Sequence, residues 1–201
     1  MRSYSGTELS YLQSRNGFSA RTLFWVQARN RGTGLVETMG LWSGEENRAF
    51  TIGGVVRDYY GAGALLGLDG IVMQTGIGVR LQRISLAAVS AEVAQLLRGY
   101  DASLAPCEIH RALYDPLTGS LIAEPLRIWK GFVDQAPIPT AEIGGESVVD
   151  MSLASAARAL TRTLTLTKSD AVQRLRGGDR MRQYQDVSGK VPVAWGEVLA
   201  Q

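Results

Sequence analysis

Hydrophobic and polar positions alternate in short runs along most of this chain. The first runs of strand length lie at residues 22–28, 35–42, 49–52 and 55–60. Each is rich in β-branched and aromatic residues and is bounded by Gly, Asn or Ser, a pattern that predicts an antiparallel meander. Further strands are predicted at residues 70–75, 79–86, 107–114, 126–135, 147–153 and 161–167.

Two segments instead show helical spacing. Residues 7–15 and 90–97 place apolar side chains three and four positions apart after a serine or threonine, and each run is followed by a glycine. Both are predicted to be short helices, and residues 154–160 are predicted to add a helical turn. The chain is therefore expected to be mainly β, with one or two short helices.

Breaks in the alternation mark irregular places in this sheet. Alternation slips between Leu81 and Ile84, which predicts a bulge, and Gly131 in mid-strand predicts a bulge or a close backbone approach. The glycine-rich stretch at 60–78 matches neither the dinucleotide fingerprint nor a P-loop, so we interpret it as a loop and not as a phosphate site.

The last segment, residues 169–197, follows neither a helix nor a strand period. Residues 151–190 contain eight basic and three acidic side chains, an excess of five positive charges on a chain whose net charge is +2. Its apolar content argues against a disordered tail. We therefore divide the chain into a body at 1–168 and an extended arm at 169–201 that packs on the body or on a neighbouring subunit.

The arm contains the predicted interface residues. Arginines and aromatic residues are the types that anchor protein interfaces. We expect arm contacts from Arg174, Arg176, Arg180, Arg182, Tyr184 and Trp195. Nucleic-acid binding is the rival interpretation, but aromatic side chains that would stack on bases are sparse in this segment.

Composition limits the chemistry that one copy of the chain performs. Its 201 residues are 45% hydrophobic and include one cysteine and one histidine, Cys107 and His110, so a Cys/His metal site within one chain is close to excluded. No stretch reaches the length of a membrane span, so we expect a soluble protein without stable membrane insertion.

Catalytic candidates are few. Strand alternation places His110 on the face opposite Cys107, which argues against a Cys–His dyad and predicts a surface or interface histidine. Asp134 and Asp150 become neighbours if their strands pair as a hairpin, which would resemble a glycosidase pair. A cell-wall-directed hydrolase at a tail tip therefore stays open as the alternative function.

Four short motifs occur in a specific order. They are KGFVD at 130–134, SDAVQR at 169–174, GGDRMRQY at 177–184 and AWGE at 194–197, preceded by a strand, turn and short helix within 59–101. In this order, across residues 36–197, the sequence resembles the tail hub (baseplate, tail-tip) proteins of long-tailed bacteriophages, prophages and gene transfer agents.

This resemblance implies a fold and a role. The fold would be a β-barrel related to the tail-tube fold, and the protein would be a structural component without enzymatic activity. It would be made in the bacterial host cytoplasm and assembled as a ring, a trimer in preference to a hexamer, at the distal end of a virion tail. Some relatives hold a cysteine-ligated iron–sulphur cluster, but with Cys107 alone we predict no cofactor here.

The resemblance also implies partners. These are other copies in the ring, the distal tail protein, the tail tube and a central fibre or tip protein. DNA would pass through the channel without specific binding. The resemblance fits both the hub and the adjoining distal-tail ring.

Overall fold

The computed structural model describes residues 4–72, 76–138, 147–161, 168–185 and 189–190. The chain divides into two compact units, Met1–Thr161 and Arg162–Gln201. In the described residues every strand lies in the first unit. The strands are β1 Ser19–Asn30, β2 Val36–Trp42, β3 Arg48–Ile52, β4 Val55–Tyr59, β5 Leu65–Leu68, β6 Leu81–Ala87, β7 Tyr100–Asp101, β8 Pro106–Tyr114, β9 Leu126–Gln135 and β10 Val148–Ser155.

The helices are short, as the sequence predicted. Helix α1 spans Gly6–Gln13, and the Ser5 hydroxyl caps it by accepting from the Glu8 amide at 3.2 Å. Helix α2, Ala91–Ala94, continues into a π-helical turn, Gln95–Gly99. The predicted helical turn at 154–160 starts late: β10 continues through Ser155 and α3 is Arg158–Thr161. In the second unit, α4 is Asp170–Arg174.

No helix within the described ranges is long and apolar enough to cross a membrane.

Seven strands pair in one antiparallel path, in the order β2-β1-β8-β9-β10-β6-β5, and β7 pairs with β1 beside this path. The predicted mainly β class is confirmed. A closed barrel is not found: among the described residues no ladder joins β2 to β5. A one-residue parallel bridge between Leu41 and Tyr60 lies at that edge, with the Tyr60 amide donating to Gly40 at 2.9 Å.

The main core lies on the inner face of this sheet. Leu41 of β2 and Leu65 of β5, at the two ends of the strand path, belong to one buried cluster with Ile109 and Met151. Leu96 of the π-helical turn packs into the same cluster. Because both ends of the path contribute to one core, the sheet curves around it.

The predicted meander of the first four strands is confirmed for the β1–β2 and β3–β4 pairs but wrong at the step from β2 to β3, and a second core explains why. Strands β3 and β4 form a separate hairpin, and its Phe50 and Tyr59 pack with Trp25 and Trp42 of the main sheet. A Cβ at Gly40 would stand 2.5 Å from the Asp58 carbonyl oxygen, so a glycine there admits the hairpin. The aromatic side chains thus bind the hairpin to the outer face of the sheet instead of extending its edge.

Two other predictions about the strands need correction. The slip at 81–84 is not a bulge in the β6–β10 pairing, which is regular from Leu81 to Ala87. Alternation slips because the buried Gln82 occupies an inward position, where its amide donates to the Asp69 carbonyl at 2.7 Å. The strand predicted at 70–75 is not found at residues 70–72, and residues 73–75 lie outside the described part of the chain; β5 lies upstream at Leu65–Leu68.

The prediction for Gly131 is confirmed. A Cβ at this position would meet the Ala154 carbonyl oxygen at 2.1 Å. The strand predicted at 161–167 falls outside the described residues except for Thr161, which ends α3.

Candidate functional site

The described part of the arm folds back on itself. The Ser169 hydroxyl caps α4 by accepting from the Val172 amide at 3.4 Å. After α4, Gly177 and Gly178 adopt positive φ angles of 70° and 82°, a region that favours glycine, and they reverse the chain. The segment is therefore a helical turn followed by a tight reversal and further turns, and is less extended than its sequence suggested.

Three of the predicted interface arginines bind groups within the arm itself. The Asp170 carboxylate contacts Arg174 at 2.6 Å and Arg180 at 3.6 Å. Arg182 donates to the Gln185 amide oxygen at 3.3 Å. The side chains of Arg174 and Arg180 are nevertheless 52% and 47% exposed, so their remaining donors are available to another molecule.

Asp179 ties the two sides of the reversal together. Its carboxylate accepts from the Gln173 amide at 2.7 Å and from the Met181 backbone amide at 3.0 Å. These hydrogen bonds, with a smaller contribution from the Arg176 charge, hold the pKa of Asp179 below its ordinary value. Arg176 directly precedes the reversal at Gly177 and Gly178, and its charge acts on Asp179 there.

The apolar side chains of the arm are exposed. Leu175, Met181 and Tyr184 are 78%, 87% and 67% exposed. Trp195, the other predicted anchor, lies outside the described residues. Three large apolar side chains that are exposed within ten residues of sequence favour contact with a further protein.

A second charged feature lies on the outer face of the sheet, around Glu108 of β8. Its carboxylate accepts from Arg57 at 3.0 Å and from Arg127 at 2.9 Å, and the Lys130 ammonium lies 3.9 Å away. Among the described residues, these three cations face one carboxylate, which leaves an excess of two positive charges. We call Arg57, Arg127 and Lys130 the basic cluster.

The basic cluster keeps the Glu108 carboxylate ionised and leaves two of its own cations exposed. Burial by itself would raise the pKa of Glu108, but the hydrogen bonds from Arg57 and Arg127 outweigh it and hold that pKa below its usual value. Arg57 also stacks over the Trp25 ring, 5.0 Å from its centroid. The side chains of Arg127 and Lys130 remain 53% and 57% exposed.

His110 lies beneath this cluster and is only 1% exposed, so the predicted surface or interface position is wrong. The β3–β4 hairpin covers the outer face on which alternation placed it. Burial lowers the pKa of His110 to about 4, although the Glu108 carboxylate acts in the opposite direction. Its imidazole is therefore neutral at physiological pH and makes no hydrogen bond to the described residues.

A Cys–His dyad does not form. Cys107 belongs to the inner core, and burial raises the pKa of its thiol. His110 faces the outer side, as the alternation predicted.

The two aspartates of the hydrolase alternative are each engaged elsewhere. Strands β9 and β10 do pair, but Ser152 is opposite Gln135, which places Asp150 roughly 10 Å along the sheet from Asp134. Asp134 pairs with Arg158, and Asp150 accepts from the Ser85 hydroxyl at 2.6 Å. They do not form an acid/base pair facing one cleft.

The turn between β2 and β3 presents two acids outward. Glu45 and Glu46 are exposed, and neither carboxylate has an ion-pair partner among the described residues. We call this the acidic turn. It borders a cavity of about 760 Å³ that is also lined by Tyr114 at the end of β8.

Sequence reasoning missed the basic cluster because its members and Glu108 come from three strands. Glu108 and Lys130 occupy paired positions on β8 and β9, whereas Arg57 comes from the hairpin that folds over the sheet. The sequence did contain one signal for this cluster: Glu108 and Lys130 are opposite charges on the outer faces of two strands predicted to be neighbours. The position of Arg57 required the tertiary fold.

No protein-family model matches the sequence, and no curated protein matches it. The fold is similar to that of a chain in the solved structure described as the virion of a native gene transfer agent (GTA) particle. The TM-score is 0.55 and the sequence identity is 16%, over 83% of this chain and 50% of the other. The present chain thus spans about half the length of that chain, and the similarity establishes a shared fold with a component of a gene transfer agent virion.

Proposed function

We propose that this protein is a structural, non-enzymatic component of a phage-like or gene transfer agent virion. The observation that carries this proposal is the shared fold with a virion chain over 83% of the present sequence. The order of motifs from residue 36 to residue 197 points to the same class of particle. The separate engagement of Asp134 and Asp150 removes the main argument for a hydrolase.

Within the particle, we place the protein in a ring at the distal end of the tail, as the hub or the adjoining distal-tail ring. The curved sheet would be a relative of the tail-tube barrel and would line the channel through which DNA passes, with three copies favoured over six. The ring would connect the tail tube to the tip or central fibre protein.

The arm would hold neighbouring subunits together. Its exposed Leu175, Met181 and Tyr184 supply apolar contact area, and its half-exposed Arg174 and Arg180 supply charge. Arm exchange of this kind suits a ring, because each subunit gives one contact and receives one.

Two assays, one on purified particles and one on the purified protein, test this function. Mass spectrometry of purified particles should find the chain in stoichiometric, multi-copy amount, and the purified protein should not degrade peptidoglycan. Absence from particles, or degradation of peptidoglycan by a monomer, would overturn the proposal.

A further inference from the structure

We propose that copies of this chain join head to tail through charge: the acidic turn of one copy, Glu45 and Glu46, seats on the basic cluster of the next. The inference rests on the proposed function in requiring self-association, and it adds which surfaces meet. It concerns the first unit alone and is independent of the arm.

The acidic turn is held rigidly by its backbone. The Glu45 carbonyl accepts from the Ala62 amide at 2.8 Å, and the Glu46 carbonyl accepts from the Trp42 indole at 2.8 Å. The Asn47 side chain accepts from the Gly61 amide at 3.1 Å. Glu45 and Glu46 are exposed, and because these hydrogen bonds already order the turn, binding through their side chains carries little further ordering cost to the backbone.

The two neighbouring arginines, Arg48 and Arg21, bind other groups instead of these two acids. Arg48 stacks over the rings of Phe50 and Tyr114, 5.5 Å from each centroid. Arg21 donates to the Ser43 carbonyl at 3.2 Å. Neither forms an ion pair with Glu45 or Glu46, although both arginines line the same cavity, so the two carboxylates keep their acceptor oxygens for another partner.

The basic cluster is matched in charge and size. It holds three cations around the single Glu108 carboxylate, and the turn offers two carboxylates that have no ion-pair partner among the described residues. Beside Glu108, a cavity of about 100 Å³ opens between Trp25, Arg57, Pro106 and Lys130. A cavity of this size has room for one carboxylate group.

The two surfaces cannot meet within one copy. Both lie on the outer side of the sheet, but the basic cluster is at Glu108, near the start of β8, and the acidic turn is beside Tyr114, at its end. Glu108 and Tyr114 are six residues apart in the strand, so the two surfaces lie roughly 20 Å apart along the direction of β8. Unlike surfaces at opposite ends of a subunit form a heterologous contact, which generates a closed ring when the rotation between copies closes.

A carboxylate partner fits better than nucleic acid. The three cations surround a carboxylate already present, and they form a compact group instead of a stripe that tracks successive phosphates. DNA binding by this surface is therefore an outcome that would contradict the proposal.

Charge reversal tests the contact in the full-length protein. Two variants, Glu45→Lys with Glu46→Lys and Arg127→Glu with Lys130→Glu, should each weaken self-association by about a hundredfold or more. The variant with all four substitutions should restore it, since the contact is then reversed in sign. The double variant Arg83→Glu with Asp101→Lys is a control, as it alters exposed charges elsewhere and should assemble normally.

Mass photometry and sedimentation velocity give the readout, and far-UV circular dichroism checks that each variant is folded. For the wild type, raising salt from about 0.1 M to about 1 M shortens the Debye length from about 10 Å to about 3 Å and should weaken association. Rescue by the fourfold variant supports the inference. Normal assembly of either double variant, a folded fourfold variant that stays dissociated, a monomeric wild type or DNA capture by the cluster would overturn it. Detection of the chain in particles would show that the proposed function stands even then.

Discussion

Gly131 lies so close to Ala154 on the neighbouring strand that a Cβ added at position 131 would stand 2.1 Å from the Ala154 carbonyl oxygen. The Trp129 ring closes the other side of this space, 2.4 Å from the same point. Backbone and a packed indole both resist displacement, so a glycine here is a condition for the β9–β10 pairing.

The first prediction follows from this contact. Gly131→Ala should lower the free energy of unfolding by about 1–3 kcal/mol or more, because the added methyl group overpacks the pairing of β9 and β10. Gly67→Ala is the matched control, since Gly67 also lies in a strand but has open space around its Cβ position. Urea denaturation measures both variants, and an equal effect at the two positions would contradict the packing argument.

His110 provides a prediction about pH. Its pKa is about 4 in the fold, below its ordinary value of 6.5, so the folded state disfavours the proton. Stability is therefore full above about pH 6.5 and falls as pH decreases towards 4, by about 3 kcal/mol in total. Glu108, Arg57 and Arg127 are the charged groups that face it.

The variant His110→Leu isolates this effect. Neither ring nitrogen has a hydrogen-bond partner in the described part of the chain, so leucine should leave stability at pH 7 unchanged within about 1 kcal/mol or raise it. The loss of stability between pH 6.5 and 4.5 should largely disappear in the variant. Identical pH profiles of the free energy of unfolding for wild type and variant would show that His110 does not titrate in this way.

The arm gives a prediction about truncation. Ending the chain after Lys168 should leave the thermal unfolding of the first unit nearly unchanged, because the β core and the arm are separate compact units. Self-association or incorporation into tails should weaken. Normal assembly of the truncated chain would show that the arm is not a clasp.

The apolar side chains of the arm allow a finer test. Replacing Leu175, Met181 and Tyr184 by serine should reduce assembly without reducing monomer stability, because all three are mostly exposed. Val89→Ser with Leu117→Ser is the control, since these side chains are 86% and 94% exposed and lie in the first unit. Pelleting with tail particles distinguishes them: equal incorporation of both variants would argue against an apolar arm contact.

The alternation of apolar and polar residues predicted most strands of this fold, because every second side chain of a half-buried strand faces the core. It predicted the opposite faces of Cys107 and His110 and the close approach at Gly131 for the same reason. It failed at Gln82, where a buried polar side chain is satisfied by the distant Asp69 carbonyl, and no spacing rule records such a partner.

The hairpin of β3 and β4 shows the same limit at larger scale. Its alternation is equally consistent with an edge strand and with a layer over the outer face, and the packing of Phe50 and Tyr59 on Trp25 decides between them. That packing also buries His110 and brings Arg57 to Glu108. The arm arginines were identified by composition, but their internal bonds to Asp170 depend on the reversal at Gly177 and Gly178.

Gold-labelled antibody against this chain, applied to purified particles from cells that encode it and viewed by electron microscopy, tests the central claim most directly. The account predicts label at the tail end distal to the head, in several copies per particle. Particles without label, with antibody binding confined to the soluble fraction, would contradict a structural role in the virion.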